Sequence, residues 1–189
     1  LNRIEGLEHI TPAGSYRRGK ETVGDIDILA TSSRPYDVIA AFVRMPLVED
    51  VLGKGPTKAS IIVQGTIQVD LRIVEHRSYG TVLQYFTGSK EHNVRLRQVA
   101  IDKGYSLSEY SLKRIKDGVD LFFDREEDVY EALGMQYIPP ELREDVGEIE
   151  AAMQGKLPRL VELPDIKGDL HIHSTWSDGR SSIEEQAKA

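Results

Sequence analysis

The sequence predicts an α+β fold. Alternating polar and apolar residues, the period of a half-buried strand, occupy residues 24–30, 59–63 and 66–74. Apolar residues at helical spacing occupy residues 36–45, 79–86, 90–103 and 126–133. The 189 residues, 40% of them hydrophobic and 29% charged, are enough for one globular domain or two small ones.

The first strand, residues 24–30 (GDIDILA), carries two acidic residues. Because side chains alternate between the two faces of a strand, Asp25 and Asp27 share one face, and Ile26 and Ile28 share the other. Two carboxylates therefore point the same way.

The next two strands, residues 59–63 and 66–74, are predicted to form a hairpin around Gln64-Gly65. In the second of these strands Val69, Leu71 and Ile73 share an apolar face. Asp70 lies on the opposite face, so a third carboxylate sits in the middle of a strand.

A helix, a break and a second helix follow. Thr87-Gly88-Ser89 separates the helices over residues 79–86 and 90–103, with glycine as a stop signal and serine as an N-cap. Residues 106–115 predict a short hairpin, and Gly134 is expected to end the helix over residues 126–133.

The last 49 residues differ in composition. Residues 141–167 are acidic, poor in aromatic residues and broken by prolines, which predicts a linker with at most one exposed helix. Residues 168–173 predict a strand with two histidines on one face, and residues 181–189 begin a helix. The chain starts at Leu1 and stops inside a helical pattern, so we expect a fragment of a longer protein.

Composition excludes several classes of protein. There are no cysteines, which excludes disulfides and thiolate chemistry. No apolar run of membrane-spanning length and no signal-like N-terminus occur, so we expect a cytoplasmic protein without a membrane partner. A net charge of −7 argues against a nucleic-acid partner. Basic residues nevertheless cluster locally, at Arg17, Arg18 and Lys20 and at Lys90, Arg95 and Arg97, so a basic patch is compatible with the acidic total.

Asp25, Asp27 and Asp70 suit phosphoryl transfer, because three carboxylates on adjacent strands can hold two Mg²⁺ ions. Gly14-Ser15 opens a short helix that presents backbone N–H groups and a hydroxyl to a phosphate, and Arg18 adds a forked cation. The alternatives are an exposed strand face or turn for the aspartates, and a capped surface helix for the glycine and serine.

Three segments carry a resemblance. Residues 14–27 (GSYRRGKETVGDID) resemble the nucleotidyltransferase signature of the family X DNA polymerases, the group that contains DNA polymerase beta. Residues 69–72 (VDLR) are similar to that family's third-aspartate strand, and residues 85–97 (YFTGSKEHNVRLR) to its nucleotide-pocket helix.

The resemblance implies a nucleotidyltransferase-type mixed β-sheet palm over residues 1–77, truncated at its N-terminus. A small α+β thumb, which forms the nucleotide-binding subdomain, would occupy residues 78–140. A linker over residues 141–167 would lead to the stub of a PHP domain at residues 168–189, the bacterial and archaeal arrangement.

The resemblance also implies roles for single residues. Asp25, Asp27 and Asp70 would hold two Mg²⁺ ions, and Asp70 would help to deprotonate the primer 3′-hydroxyl. Contacts with the incoming dNTP would come from Gly14, Ser15, Arg18, Gly24, Tyr85, Phe86, Gly88 and Asn93. Of these, Tyr85 and Phe86 would line the sugar pocket. Arg97 and Arg72 would contact DNA.

Residues 169–179 (DLHIHSTWSDG) resemble the first motif of PHP domains, which are metal-dependent phosphoesterases. The resemblance implies that His171, His173 and Asp178 bind Mn²⁺ or Zn²⁺ in the intact domain. The expected function is therefore DNA-directed DNA polymerase activity on gapped or primed DNA in repair. One alternative is a PHP-type phosphoesterase or 3′-5′ exonuclease with a vestigial polymerase part; another is a DNA-end or gap-binding module without catalysis.

Overall fold

The computed structural model describes residues 4–168 and 171–188. The chain divides between Leu157 and Pro158 into two compact units, which are described separately. Within the described ranges, no helix is both long enough and apolar enough to span a bilayer.

A mixed five-stranded sheet opens the first unit. Its strands are β1 (Glu8–Pro12), β2 (Asp25–Thr31), β3 (Val48–Lys54), β4 (Lys58–Val63) and β5 (Ile67–Val74), in the order β1-β2-β5-β4-β3. Strands β2 and β5 are parallel, and the other neighbours are antiparallel. The mixed-sheet α+β class is confirmed, as are the three predicted strands; β1 and β3 were not predicted.

The core of this sheet lies under helix α2 (Pro35–Phe42). The apolar face predicted for β5 is buried, with Leu71 fully enclosed against Ile39 and Phe42. A short helix, α1 (Gly14–Arg17), connects β1 to β2. Because the apolar face of β5 packs inward, its polar face is left for the functional side chains.

Helices and a small sheet follow. Helix α3 (Tyr79–Thr87) and helix α4 (Lys90–Asp102) are separated at the predicted break, where Gly88 has a φ of +70° and Ser89 Oγ accepts a hydrogen bond of 3.1 Å from the backbone N–H of His92. Strands β6 (Tyr105–Leu107), β7 (Leu112–Arg114) and β8 (Asp120–Leu121) form an antiparallel sheet, and helix α5 (Glu126–Ala132) ends beside Gly134. The predicted hairpin thus gains a third strand, β8.

Residues 141–157, the first part of the segment expected as an exposed linker, belong to the first unit in the structure. Helix α6 (Glu148–Met153) buries Ile149 and Ala152, which are three residues apart on one face. Arg143 is fully buried and paired with Glu126. The acidic composition suggested solvent exposure, but two apolar residues and one paired arginine hold the segment in the core.

The described residues of the second unit contain one α-helix, α7 (Ile183–Lys188), within the range predicted to begin a helix. The strand expected over residues 168–173 is absent from its described part, residues 168 and 171–173. Asp169 and Leu170, which belong to that prediction, lie outside the described residues. His171 has a φ of +44°, which is incompatible with an extended strand.

Candidate functional site

Three aspartates meet on the polar face of β2 and β5. In the parallel register Asp27 is the direct partner of Asp70, and Asp25 is the partner of Gln68. Alternation places Asp25 on the same face as Asp27, two residues earlier on the strand. Asp25 is exposed, while Asp27 and Asp70 are half-buried.

The electrostatics of this group are unfavourable without a cation. Burial raises the pKa of Asp27, and the charges of Asp25 and Asp70 raise it further, while Lys58 and Arg72 offset part of the effect. Asp70 Oδ2 accepts a hydrogen bond of 3.2 Å from Gln68 Nε2. Among the described residues, Asp70 Oδ1 is buried and has no hydrogen-bond partner.

These observations fit a divalent cation with oxygen ligands, which would satisfy the lone carboxylate oxygen and offset the repulsion. As placed, however, no group of three or more His, Asp or Glu side chains in residues 4–168 and 171–188 has metal-binding geometry. Asp27 and Asp70 are partners in register, with Asp25 two residues earlier, but the three carboxylates do not converge on one point.

Gly14 brings α1 directly against this group. It is buried, has a φ of +60°, and an added Cβ atom would lie 2.4 Å from Asp27 Oδ2. The backbone N–H of Ala13 also donates a 2.8 Å hydrogen bond to the Asp27 carbonyl oxygen. Only glycine fits here, both for the left-handed backbone and for the close approach.

The two arginines of α1 and its C-cap have partners far along the chain. Arg17 makes two hydrogen bonds to the Glu126 carboxylate, at 2.9 and 2.7 Å. Arg18 Nε donates to Glu144 Oε1 at 2.9 Å, and Arg18 Nη1 donates to the Thr87 carbonyl oxygen at 2.6 Å.

Glu126 itself is shared, because Arg143 Nη1 also donates to it at 2.6 Å. The opposing charges of Arg143 and Arg17 hold the pKa of Glu126 below its usual value, although burial alone would raise it. Sequence reasoning missed Glu126, Arg143 and Glu144. No local pattern signals an ion pair between residues 109 or 126 positions apart.

Seven of the eight predicted nucleotide-binding residues line one cleft of about 560 Å³. Its lining comprises the α1 turn, two of the aspartates and the helix break: Gly14, Ser15, Arg18, Asp25, Asp27, Tyr85, Phe86, Gly88, Lys90, Asn93, Val94 and Arg97. Asp70 and Arg72 line a smaller cavity that shares Asp27 and Phe86 with this cleft. Gly24 lies apart, in a separate surface depression that also contains Asp25.

Aromatic rings and arginines lie together at the helix break, where the cleft meets the adjoining cavity. Tyr85 and Phe86 pack edge to face, with ring centroids 5.1 Å apart. Arg97 lies 5.2 Å above the Tyr85 ring, and Arg72 lies 4.4 Å above the Phe86 ring. Each arginine therefore places a positive charge next to an aromatic face.

Asn93 ties the two helices together. Its Nδ2 donates to the Tyr85 carbonyl oxygen at 2.7 Å, and its Oδ1 accepts from Gln84 Nε2 at 2.8 Å. The side chain is only slightly exposed, so in this structure it orders the helix break beside the cleft.

In the second unit, His173 Nδ1 lies 2.6 Å from Asp178 Oδ1, and the hydrogen bond to His173 lowers the pKa of Asp178. The rings of His171 and His173 are 5.4 Å apart between centroids. The structure therefore brings the three predicted ligands of this motif near one another, without the geometry of a metal site among the described residues.

Comparisons with known proteins show which families the chain is similar to. A family model described as DNA polymerase beta palm matches residues 2–82, and one described as DNA polymerase beta thumb matches residues 82–144. DNA polymerase/3′-5′ exonuclease PolX of Bacillus subtilis is 41% identical over 191 residues, which cover all of this chain and 33% of that protein.

A second relative, DNA polymerase lambda of Rattus norvegicus, is 29% identical over 163 residues, which cover 69% of this chain and 28% of that protein. The chain thus spans about a third of the length of the curated relatives it matches.

Proposed function

This chain belongs to the family X DNA polymerases, and from that premise we propose that it carries the nucleotidyl-transfer site of a DNA-directed DNA polymerase. The proposed reaction is template-directed transfer of a deoxynucleotide from a dNTP to a primer 3′-hydroxyl. The proposed setting is gap filling during DNA repair in the cytoplasm.

The observation that carries the proposal is the side-by-side placement of Asp27 and Asp70, with Asp25 on the same face, at the edge of a cleft that also contains Ser15 and Arg18. Two Mg²⁺ ions at the aspartates would supply charge neutralisation for the triphosphate and activation of the attacking hydroxyl. The raised pKa of Asp27 and the unpartnered oxygen of Asp70 support this cation requirement.

The protein's own groups position the reactants. Ser15 and the terminal nitrogens of Arg18 bind the phosphates. The Asp70 carboxylate orients the primer hydroxyl and accepts its proton. Tyr85 and Phe86 form the wall against which the sugar lies, and Gly88 leaves room for it.

DNA binding by an acidic chain requires a local positive surface. Lys90 and Arg97 line the cleft, and Lys58 and Arg72 line the adjoining cavity. These four cations face the same region as the aspartates, so the template and primer backbones would be held there in spite of the net charge of −7.

Primer extension on a one-nucleotide gap with Mg²⁺ tests the proposal. Asp70→Ala should reduce extension about a thousandfold, since each factor of ten corresponds to about 1.4 kcal/mol of transition-state stabilisation and metal binding supplies several. Asp102→Ala, which removes an exposed aspartate at the end of α4, is the matched control and should extend normally. Equal extension by the Asp70 and Asp102 variants would contradict the proposal.

A second candidate function is phosphoesterase activity at the second unit. Two observations favour it: His173 and Asp178 form a pair, and the Bacillus subtilis relative is named as a 3′-5′ exonuclease as well as a polymerase. With Mn²⁺ or Zn²⁺ bound, this activity should be lost in His173→Ala and kept in Asp70→Ala. Degradation of a labelled 3′ end by the two variants distinguishes the two sites.

A further inference from the structure

We propose that Glu144 is a positioning residue of the phosphate-binding turn: it fixes the guanidinium of Arg18 so that the arginine's terminal nitrogens face the triphosphate. This inference rests on the proposed function and assigns to that site a residue from outside the signature segments. It also implies that the end of the segment matched by the thumb family model helps to set nucleotide affinity.

Two hydrogen-bond acceptors hold the Arg18 guanidinium in place and leave some of its N–H groups available to a ligand. Glu144 accepts from Nε at 2.9 Å, and the Thr87 carbonyl oxygen accepts from Nη1 at 2.6 Å. A guanidinium has five N–H groups. In the part of the chain that the structure describes, the second N–H of Nη1 and both on Nη2 have no acceptor, and Arg18 lines the cleft whereas Glu144 does not.

This arrangement orders a side chain that is otherwise costly to immobilise. Two acceptors on different elements, the end of α3 and the segment before α6, fix the plane of the guanidinium. A planar fork that is already oriented loses less freedom when it binds a phosphate. Glu144 therefore improves binding without touching the ligand.

Glu144 is itself held firmly. Arg143, its neighbour, is fully buried, and the Arg143 carbonyl oxygen accepts a 3.0 Å hydrogen bond from the Ser89 N–H at the helix break. The side chains of Glu144 and Arg18 are 28% and 12% exposed, so the pair is largely shielded from solvent. Lys20 lies 3.5 Å from the same carboxylate. Although burial alone would raise it, Arg18 and Lys20 hold the pKa of Glu144 below its usual value, and the carboxylate stays ionised.

The alternative is that Glu144 competes with the ligand for Arg18, so that the triphosphate must displace the Glu144 carboxylate from the guanidinium. The two roles predict opposite effects of removing the carboxylate. A positioning residue weakens binding when it is lost, and a competitor strengthens it.

Calorimetric titration of the chain with dTTP and, separately, with inorganic tripolyphosphate, each with Mg²⁺, decides between them. Glu144→Ala should weaken both ligands about tenfold, the scale of one charge-assisted hydrogen bond made less favourable. Glu144→Gln, which keeps an acceptor oxygen, should recover part of the loss. The control is Glu150→Ala, which removes a half-exposed carboxylate six residues after Glu144 that is paired with Arg95. This variant should bind both ligands as the unaltered chain does.

A double variant tests the route of the effect. In an Arg18→Ala background, adding Glu144→Ala should weaken neither ligand further, because the positioned group is already gone. In steady-state extension, Glu144→Ala should raise KM for the dNTP more than it lowers kcat. Thermal melting checks that each variant is folded; if Glu144→Ala is not, Glu144→Gln takes its place.

Unchanged or tighter binding in a folded Glu144 variant would overturn this inference and leave the polymerase proposal intact. Failure of the unaltered chain to bind either ligand would overturn the proposed function itself and this inference with it. A weakened tripolyphosphate affinity that persists in the Arg18→Ala background would also overturn it.

Discussion

Replacing Gly14 with alanine should damage catalysis far more than folding. The new Cβ atom would lie 2.4 Å from Asp27 Oδ2, whereas ordinary contact begins at 3.4 Å. The carboxylate oxygen must therefore move by about 1 Å, and a misplacement of that size in an active site can cost about 100-fold in rate. The φ of +60° adds a backbone cost of about 1–2 kcal/mol for a residue with a side chain.

Gly19 supplies a matched control. Its φ is +71°, close to that of Gly14, but no heavy atom lies within 4 Å of a Cβ atom added there. Gly19→Ala should therefore carry the same backbone cost of about 1–2 kcal/mol in urea unfolding while retaining catalysis. Single-nucleotide gap filling measured on both variants isolates the contact with Asp27.

The result that would refute this reasoning is full activity in both folded variants. Such a result would mean that Asp27 adopts another position without loss, and that the close approach of α1 to β2 has no role in the chemistry. An equal loss of activity in both variants would instead point to the backbone conformation.

Four further predictions concern stability in urea. Because the pKa of Asp27 is raised in the folded state, its contribution to stability is present below a pH of about 4 and is lost as pH rises through the folded-state pKa. Asp27→Asn should therefore raise the urea midpoint of unfolding at about pH 8 without metal. The difference from the wild type should disappear toward pH 4. Burial lowers the pKa of His92 from 6.5, so its contribution to stability is complete above that pH and is lost as pH falls. The urea midpoint of the wild type should therefore decrease when the pH is lowered below about 6.5. His92→Gln should remove that pH dependence. Arg143→Met leaves Glu126 with one fewer buried partner and should cost about 3–5 kcal/mol. Arg95→Met, at an exposed pair, should cost less than about 1 kcal/mol.

Local patterns were sufficient for much of the fold. Strands β2, β4 and β5 alternate cleanly, and the break between α3 and α4 carries a glycine and a capping serine. Strand β1 contains Pro12 and a register shift, and β8 has only two residues, so neither shows a strand period. These strands form because the neighbouring strands need partners, which is tertiary information.

The same division holds for the site. The shared face of the aspartates and the turn at Gly14-Ser15 were predictable, because alternation fixes a face and glycine favours a turn. The partners of Arg17 and Arg18 were not, since they come from the far end of the unit. A buried arginine such as Arg143 looks like a surface residue in any sequence pattern, and only its contact with Glu126 shows otherwise.

The parallel pairing of β2 with β5 has a consequence for how the protein is made. The strands that carry Asp27 and Asp70 are separated by residues 32–66, which include α2, β3 and β4. Closing such a loop has an entropic cost that local contacts avoid. During synthesis the first two aspartates leave the ribosome well before the third. The mutual repulsion of the three carboxylates therefore arises only when the strands that carry them have paired.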